Sequence, residues 1–185
     1  MLASRSPQRR AILEQLGIAF EVRAPDVEEL ELGPPHEVAV ENAYRKASAV
    51  ASARVDGDVL GVDTVVALGP RIYGKPAGRD EARATLEALS GRRHTVIGGL
   101  CLVSGEGRPR TAAATTAVHF RALDDRLLEW YLNTGEWRER AGSYAIQGRG
   151  AALVKAVDGD YLNVVGLPVA LLLELAPGVL DIGRA

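Results

Sequence analysis

The 185-residue chain is short of several things, and each shortage argues against a class of protein. It has one cysteine, Cys101, so no disulfide can close within it and the stapled folds of small secreted proteins are excluded. Cys101 lies in the apolar run Gly99-Leu100-Cys101-Leu102-Val103 with no histidine or cation beside it. It reads as a buried core thiol in a reducing compartment. The histidines His36, His94 and His119 stand singly, without metal-ligand spacing. No apolar run reaches the roughly 18 residues of a membrane-spanning helix, and Arg5, Arg9 and Arg10 occupy the place of a signal peptide's apolar core. The expectation is a cytoplasmic protein with no membrane partner. The net charge of -2 offers no cationic excess for sequence-independent nucleic-acid binding. A Gly-rich loop closing on Lys-Ser or Lys-Thr is also missing, which argues against P-loop chemistry.

What remains is an ordinary globular composition, 47% apolar and 25% charged, in a chain long enough to bury a substantial core. Strands alternate with helices and no linker divides them, so residues 1–185 read as a single α/β domain with a mixed, twisted sheet. Its centre is Val59-Leu60-Gly61-Val62-Asp63-Thr64-Val65-Val66-Ala67, a buried-strand run broken by one carboxylate and one hydroxyl, with Gly74-Lys75-Pro76 soon after. Burying an unpaired carboxylate costs several kcal/mol, so Asp63 must face a cleft or meet a cation.

Met1-Leu2-Ala3 reads as the end of a strand, and Ser6-Pro7 as the cap and first residue of a helix reaching Leu16, with Ala11, Ile12 and Leu16 inward and Gly17 ending it. Ser4-Arg5-Ser6-Pro7-Gln8-Arg9-Arg10 then forms a strand-to-helix turn where free N–H groups, hydroxyls and guanidinium groups converge, as a phosphate site requires. A solvated helix start is the alternative. Ile18–Val22 reads as a strand, 24–35 as an acidic loop, and 36–53 as an amphipathic helix on which Asn42 and Lys46 share the apolar face. Arg79–Leu89 is a helix, 93–104 and 110–121 are strands joined by Gly105-Glu106-Gly107, and 124–133 is a helix. The Gly-dense Ala141–Gly150 leads to strands at 151–157 and 162–165 and a helix from Pro168.

Leu2–Arg10, Gly61-Val62-Asp63-Thr64, Gly74-Lys75-Pro76, Leu89–His94, Ala141–Gly148 and Val165-Gly166-Leu167-Pro168 together resemble the Maf family over essentially the full chain. The resemblance implies a fold similar to that of the inosine triphosphatases, an elongated two-lobed body with a central cleft. It also implies hydrolysis of a nucleoside triphosphate between its α and β phosphates with a divalent cation, Mg²⁺ or Mn²⁺. On this likeness Asp63 is the general base or metal-anchored activator of water, and Ser4, Ser6, Arg9, Lys46 and Lys75 bind the triphosphate. Glu41, in a Glu41-Asn42-Ala43 segment closer to the inosine triphosphatase pattern, joins Asp63 as a candidate metal ligand, and Glu28 and Glu29 match an acidic spot of the family. Gln8, Thr64 and Gln147 are the specificity positions, with Gln8 standing where many relatives have Arg. A primary amide at Gln147 offers a donor and an acceptor side by side, matching the O4 and N3–H of thymine or uracil, which favours dTTP and UTP and a house-cleaning role. The alternatives are a 7-methyl-GTP or ITP pyrophosphatase and a nucleotide-binding regulator of septum formation. A homodimer is also within the family likeness, with Trp130, Tyr131 and Trp137 as a candidate apolar patch or as local packing.

Overall fold

The computed structural model describes residues 1–53, 57–105 and 108–180. It is an α/β structure around one six-stranded mixed sheet ordered β1-β2-β4-β5-β6, with β3 beside β2. In chain order these are β1 (Leu2–Ala3), α1 (Pro7–Gln15), α2 (Pro35–Ala51), β2 (Val59–Leu68), β3 (Arg71–Tyr73), α3 (Arg79–Leu89), β4 (Arg93–Val103), β5 (Arg110–Phe120), α4 (Asp125–Leu132), β6 (Val154–Asp158), α5 (Tyr161–Val165) and α6 (Val169–Leu175). Among the described strands β1 runs parallel to β2, and the other strand pairs are antiparallel.

Alternation along β2 divides its side chains between two layers. Val59 packs with Ala43, Ala47 and Val50, and Val65 with Val38 and Ala39, so the odd positions face α2. Leu60 and Val62 join Ile12, Leu13, Leu167 and Leu172 on the opposite face, under α1 and α6. A third cluster gathers α3, α4 and the far ends of β2, β4 and β5, including Val66, Leu86, Val118, Tyr131 and Trp137. Cys101 is fully buried, and burial pushes its thiol pKa up to about 11, so it stays protonated and inert.

The edge of β2 that carries β1 and β3 governs the site. β1 pairs with Leu60 and Gly61, and β3 pairs with Val66 to Leu68. On this edge Val62 to Val65 have no strand partner among the described residues, so a four-residue gap centred on Asp63 and Thr64 interrupts the sheet. The chain leaves β1 into Ser4 and leaves β3 into Gly74-Lys75, one from each side of the gap.

Five expectations require correction. Residues 18–22 form no strand: a two-residue β1 leaves room only for an isolated Leu2–Val22 bridge, closed by Glu21 and Arg23 backbone bonds to Leu2. Residues 162–165 lie in helix α5, because Asp160 accepts from the N–H groups of Leu162 and Asn163 and starts a helical turn. A four-residue run of three apolar residues and one Asn cannot by itself distinguish a strand from a buried helical turn. Residues 149–153 form a 3₁₀ turn, so β6 begins at Val154. In α1 the inward residues are Arg9, Ile12 and Leu13, while Ala11 is exposed and Leu16 half-buried. The expected tight turn at 105–107 falls partly on Glu106 and Gly107, outside the described residues. Tyr131 and Trp137 are core residues and only Trp130 is exposed, so the three form no surface patch.

Buried His94 packs edge-on against Phe120 and Tyr144, with Nε2 3.0 Å from the Tyr144 hydroxyl. Burial, with a smaller contribution from His119, lowers its pKa from 6.5 to about 4. The unfolded chain therefore binds this proton more readily, so His94 leaves stability intact above pH 6.5 and withdraws about 3 kcal/mol as pH falls to 4. Urea titrations at pH 7 and pH 4.5 test this: the stability difference between wild type and His94→Gln should shrink by about 2 kcal/mol or more at the lower pH. A difference independent of pH rejects it.

Candidate active site

Asp63, the fifth residue of β2, stands opposite Gly99 on the α2 side of the sheet. It is 6% exposed and meets its cation directly: Lys46 Nζ is 2.6 Å from Oδ1. Asn42 Nδ2 donates to Oδ2 at 3.3 Å. Asn42 and Lys46 lie one helical turn apart on α2, so a single helix face addresses both carboxylate oxygens. The Lys46 ammonium also bonds Glu29 Oε2 at 2.8 Å, which places it between two carboxylates. Glu29 comes from the acidic segment before α2 and is half-exposed, whereas the Lys46 and Asp63 side chains are almost fully buried.

Thr64 points to the other face, where Arg9 approaches from α1. Arg9 donates to Thr64 Oγ1 at 3.1 Å, to Ser4 Oγ at 2.9 Å and to the Gly166 carbonyl at 2.9 Å. Burial lowers its pKa, opposed by the fields of Asp63 and Glu29. In this arrangement most of the guanidinium braces the β1–α1 turn against β2 and the Gly166 loop. Ser4 Oγ accepts from both Arg9 and the Ser6 N–H, and its hydroxyl proton has no acceptor among the described residues. Ser6 caps α1 by accepting from the Arg9 N–H at 3.4 Å and donates to Gln8 Oε1 at 3.2 Å. The start of α1 therefore presents oriented N–H groups and a free hydroxyl beside the gap.

Lys75 is exposed, with only a loose 3.8 Å approach to Glu139. Its loop is tied to the Gly-dense segment by the Gly142 N–H, which donates to Gly74 O at 3.2 Å. Gly142 has φ of 69° and lies so close to Val66 that a Cβ would come within 2.8 Å of it, so this segment borders the same stretch of β2. Gln147 is exposed between an Ala145 N–H held by the Tyr131 hydroxyl at 3.0 Å and an Arg149 N–H held by Glu136 at 2.9 Å. Burial pushes the Tyr131 phenol up to about 12, so it stays protonated.

Glu41 is turned to Arg45 at 2.8 Å, and Glu29 is the second carboxylate on Lys46. Among the described residues no three His, Cys, Asp or Glu side chains converge. A pair of carboxylates still suits a hard divalent ion that takes its remaining ligands from phosphate and water. Sequence reasoning left two participants unassigned, the Asn42 amide on Asp63 and the Glu29 contact with Lys46. The four-residue spacing of Asn42 and Lys46 signalled the first, while nothing in the spacing of Glu29 signalled the second. A surface hollow of about 410 Å³ lined by Arg10, Glu14, Ile18, Ala19, Phe20 and Val22 includes none of these groups.

These features define an α/β protein with its polar machinery gathered at an interrupted edge of the central sheet. The chain belongs to the Maf family, described as Maf-like protein, which matches residues 1–178. It is 46% identical over 175 residues to the dTTP/UTP pyrophosphatase of Thermococcus gammatolerans, covering 95% of this chain and 94% of that protein. A dTTP/UTP pyrophosphatase of Gloeobacter violaceus is 46% identical over 177 residues, covering 95% and 93%. Among solved structures, the Staphylococcus aureus Ham1 protein superposes with a TM-score of 0.47 at 17% identity, over 64% of this chain and 70% of that chain. No helix among the described residues is long and apolar enough to cross a membrane.

Proposed function

We propose that this chain is a nucleoside triphosphate pyrophosphatase acting on dTTP and UTP, releasing the nucleoside monophosphate and pyrophosphate. The observation that carries the chemistry is the Asn42–Asp63–Lys46–Glu29 cluster at a sheet gap flanked by Ser4 and Lys75. The relatives named for dTTP and UTP support the choice of base. Water attacks phosphorus of the α–β bridge, its proton passes to the Asp63 carboxylate, and the P–O bond to the leaving group breaks. Lys46, Lys75, the Ser4 hydroxyl and the start of α1 offset the phosphate charge, which is most of what phosphoryl chemistry asks of a protein. A divalent cation, when bound, would neutralise further phosphate charge; Asp63 and Glu29 are the carboxylates that would hold it, with the Lys46 ammonium that bonds both turned toward phosphate instead. Gln147, exposed on its anchored turn, reads the pyrimidine edge.

The test is monophosphate and pyrophosphate release from dTTP, UTP, CTP, 7-methyl-GTP, ITP and the common purine triphosphates, with and without Mn²⁺. Turnover of dTTP and UTP at least tenfold above the others is expected, with Gln147→Glu losing at least tenfold on these two because an acceptor-only carboxylate cannot donate to O4. Preference for a purine keeps the chemistry and rejects the role of Gln147. Binding with no turnover of any nucleotide favours the regulator.

A further inference from the structure

The Asn42 side chain makes more contacts than its place on α2 requires. It is 2% exposed. Its Oδ1 accepts from the Leu30 N–H at 2.7 Å and its Nδ2 donates to the Leu30 carbonyl at 3.0 Å, so the amide pairs with one backbone unit as a neighbouring strand would. The remaining Nδ2 proton goes to Asp63 Oδ2 at 3.3 Å. Both amide hydrogens and the carbonyl are thus used. Just before Leu30 in the chain, Arg45 donates to Glu28 O at 3.2 Å and Lys46 bonds Glu29 Oε2 at 2.8 Å. Leu30 itself has little else to hold it, being exposed and outside any regular element.

From this geometry, and resting on the reading of Asp63 given above, we infer that Asn42 is a positioning residue with two linked tasks. It orients Asp63 Oδ2, and it tethers segment 28–30 to α2 so that the Glu29 carboxylate arrives at the Lys46 ammonium. The physical argument is one of cost and substitution. A buried amide left without partners costs about 1–3 kcal/mol, so once the helix presents one at this position the arrangement that satisfies all of it is strongly selected. That arrangement requires Leu30 and Asp63 to sit on the same helix face. Asn42 touches protein groups only, so its loss should act on turnover and leave nucleotide binding nearly unchanged. A space-filling role predicts the opposite ranking, with an apolar residue of similar volume tolerated.

The experiment uses Asn42→Leu, with the same branching and number of side-chain heavy atoms but no polar atoms, and Asn42→Asp, equal in shape and able to accept from the Leu30 N–H but unable to donate. Steady-state kinetics on dTTP are combined with amide hydrogen exchange at Leu30 and thermal unfolding. Both variants should lower kcat at least tenfold with KM within about threefold, since one interaction with a reacting carboxylate carries about that much. Leu30 exchange should rise at least about tenfold in Asn42→Leu and less in Asn42→Asp, which keeps one of the two backbone bonds. Should Asn42→Leu fail to fold, Asn42→Asp carries the test alone. A kcat within twofold of wild type, or unchanged Leu30 exchange in Asn42→Leu, overturns the inference. Full activity in Asp63→Asn instead overturns the reading of Asp63, and the two failures are told apart because Leu30 exchange reports the tether whatever the chemistry.

Discussion

Asp63→Asn should lower kcat for dTTP at least 10³-fold, a loss of about 4 kcal/mol of transition-state stabilisation, while KM changes little. In the proposed mechanism its side chain accepts the proton of the attacking water, and an amide of the same shape cannot take that proton. The substitution is nearly isosteric, so the packing of β2 against β4 is left alone, and the new amide oxygen still accepts from Lys46 or Asn42. Nor does Lys46 lose all compensation, because Glu29 Oε2 remains 2.8 Å away. The cost of removing one partner from a buried pair is therefore well below the 3–5 kcal/mol of an orphaned charge, and folding stability should fall by only about 1 kcal/mol. Thermal unfolding alongside single-turnover assays separates the two effects. Retention of even a tenth of wild-type kcat removes Asp63 from the proton transfer.

Whether such a site could be read from the sequence depended on how far apart its parts lie along the chain. Asp63 was legible because a carboxylate inside a run of aliphatic residues demands a cation, and Lys46 supplies one at 2.6 Å. Helix α1 was legible from its caps, with Ser6-Pro7 opening it and Gly17 following its end, and the other long helices from their apolar spacing. Short elements were not, because a mostly apolar run of four residues such as Leu162 to Val165 fits either period until a cap such as Asp160 decides. Arg9 was legible as a charged residue at a helix start, but not as the brace joining Ser4, Thr64 and Gly166 O, because Gly166 lies 157 residues away. The gap in the sheet is a property of register alone. It exists because β1 stops at the partner of Gly61 and β3 stops at the partner of Val66, and no single segment encodes that relation.

The second large effect should come from two glycines that carry no functional group. A Cβ on Gly99 would stand 2.1 Å from the Ala39 carbonyl oxygen, and one on Gly61 2.2 Å from that of Ala43 and 2.8 Å from Ala47 Cβ. Ala39, Ala43 and Ala47 are successive turns of α2, so the helix rests its backbone directly on β2 and β4 along a seam of missing side chains. Contact at ordinary van der Waals distance would lift the helix by about 1 Å or more, and neither backbone can move alone. Asn42 and Lys46 ride on that helix, and Asp63 stands opposite Gly99 and two residues along β2 from Gly61, so any lift separates the amide and ammonium from the carboxylate. Gly61→Ala and Gly99→Ala should each cost about 3 kcal/mol of stability by overpacking and lower kcat at least a hundredfold in the protein that remains folded. Gly78→Ala is the control, because its φ of −162° suits any residue and nothing lies within 4 Å of its added Cβ. Its midpoint and kcat should stay near wild type. If Gly61→Ala and Gly99→Ala unfold at the wild-type temperature with wild-type turnover, α2 is not seated on the sheet at these glycines, and the close approach that delivers Lys46 to Asp63 must be achieved elsewhere along the helix.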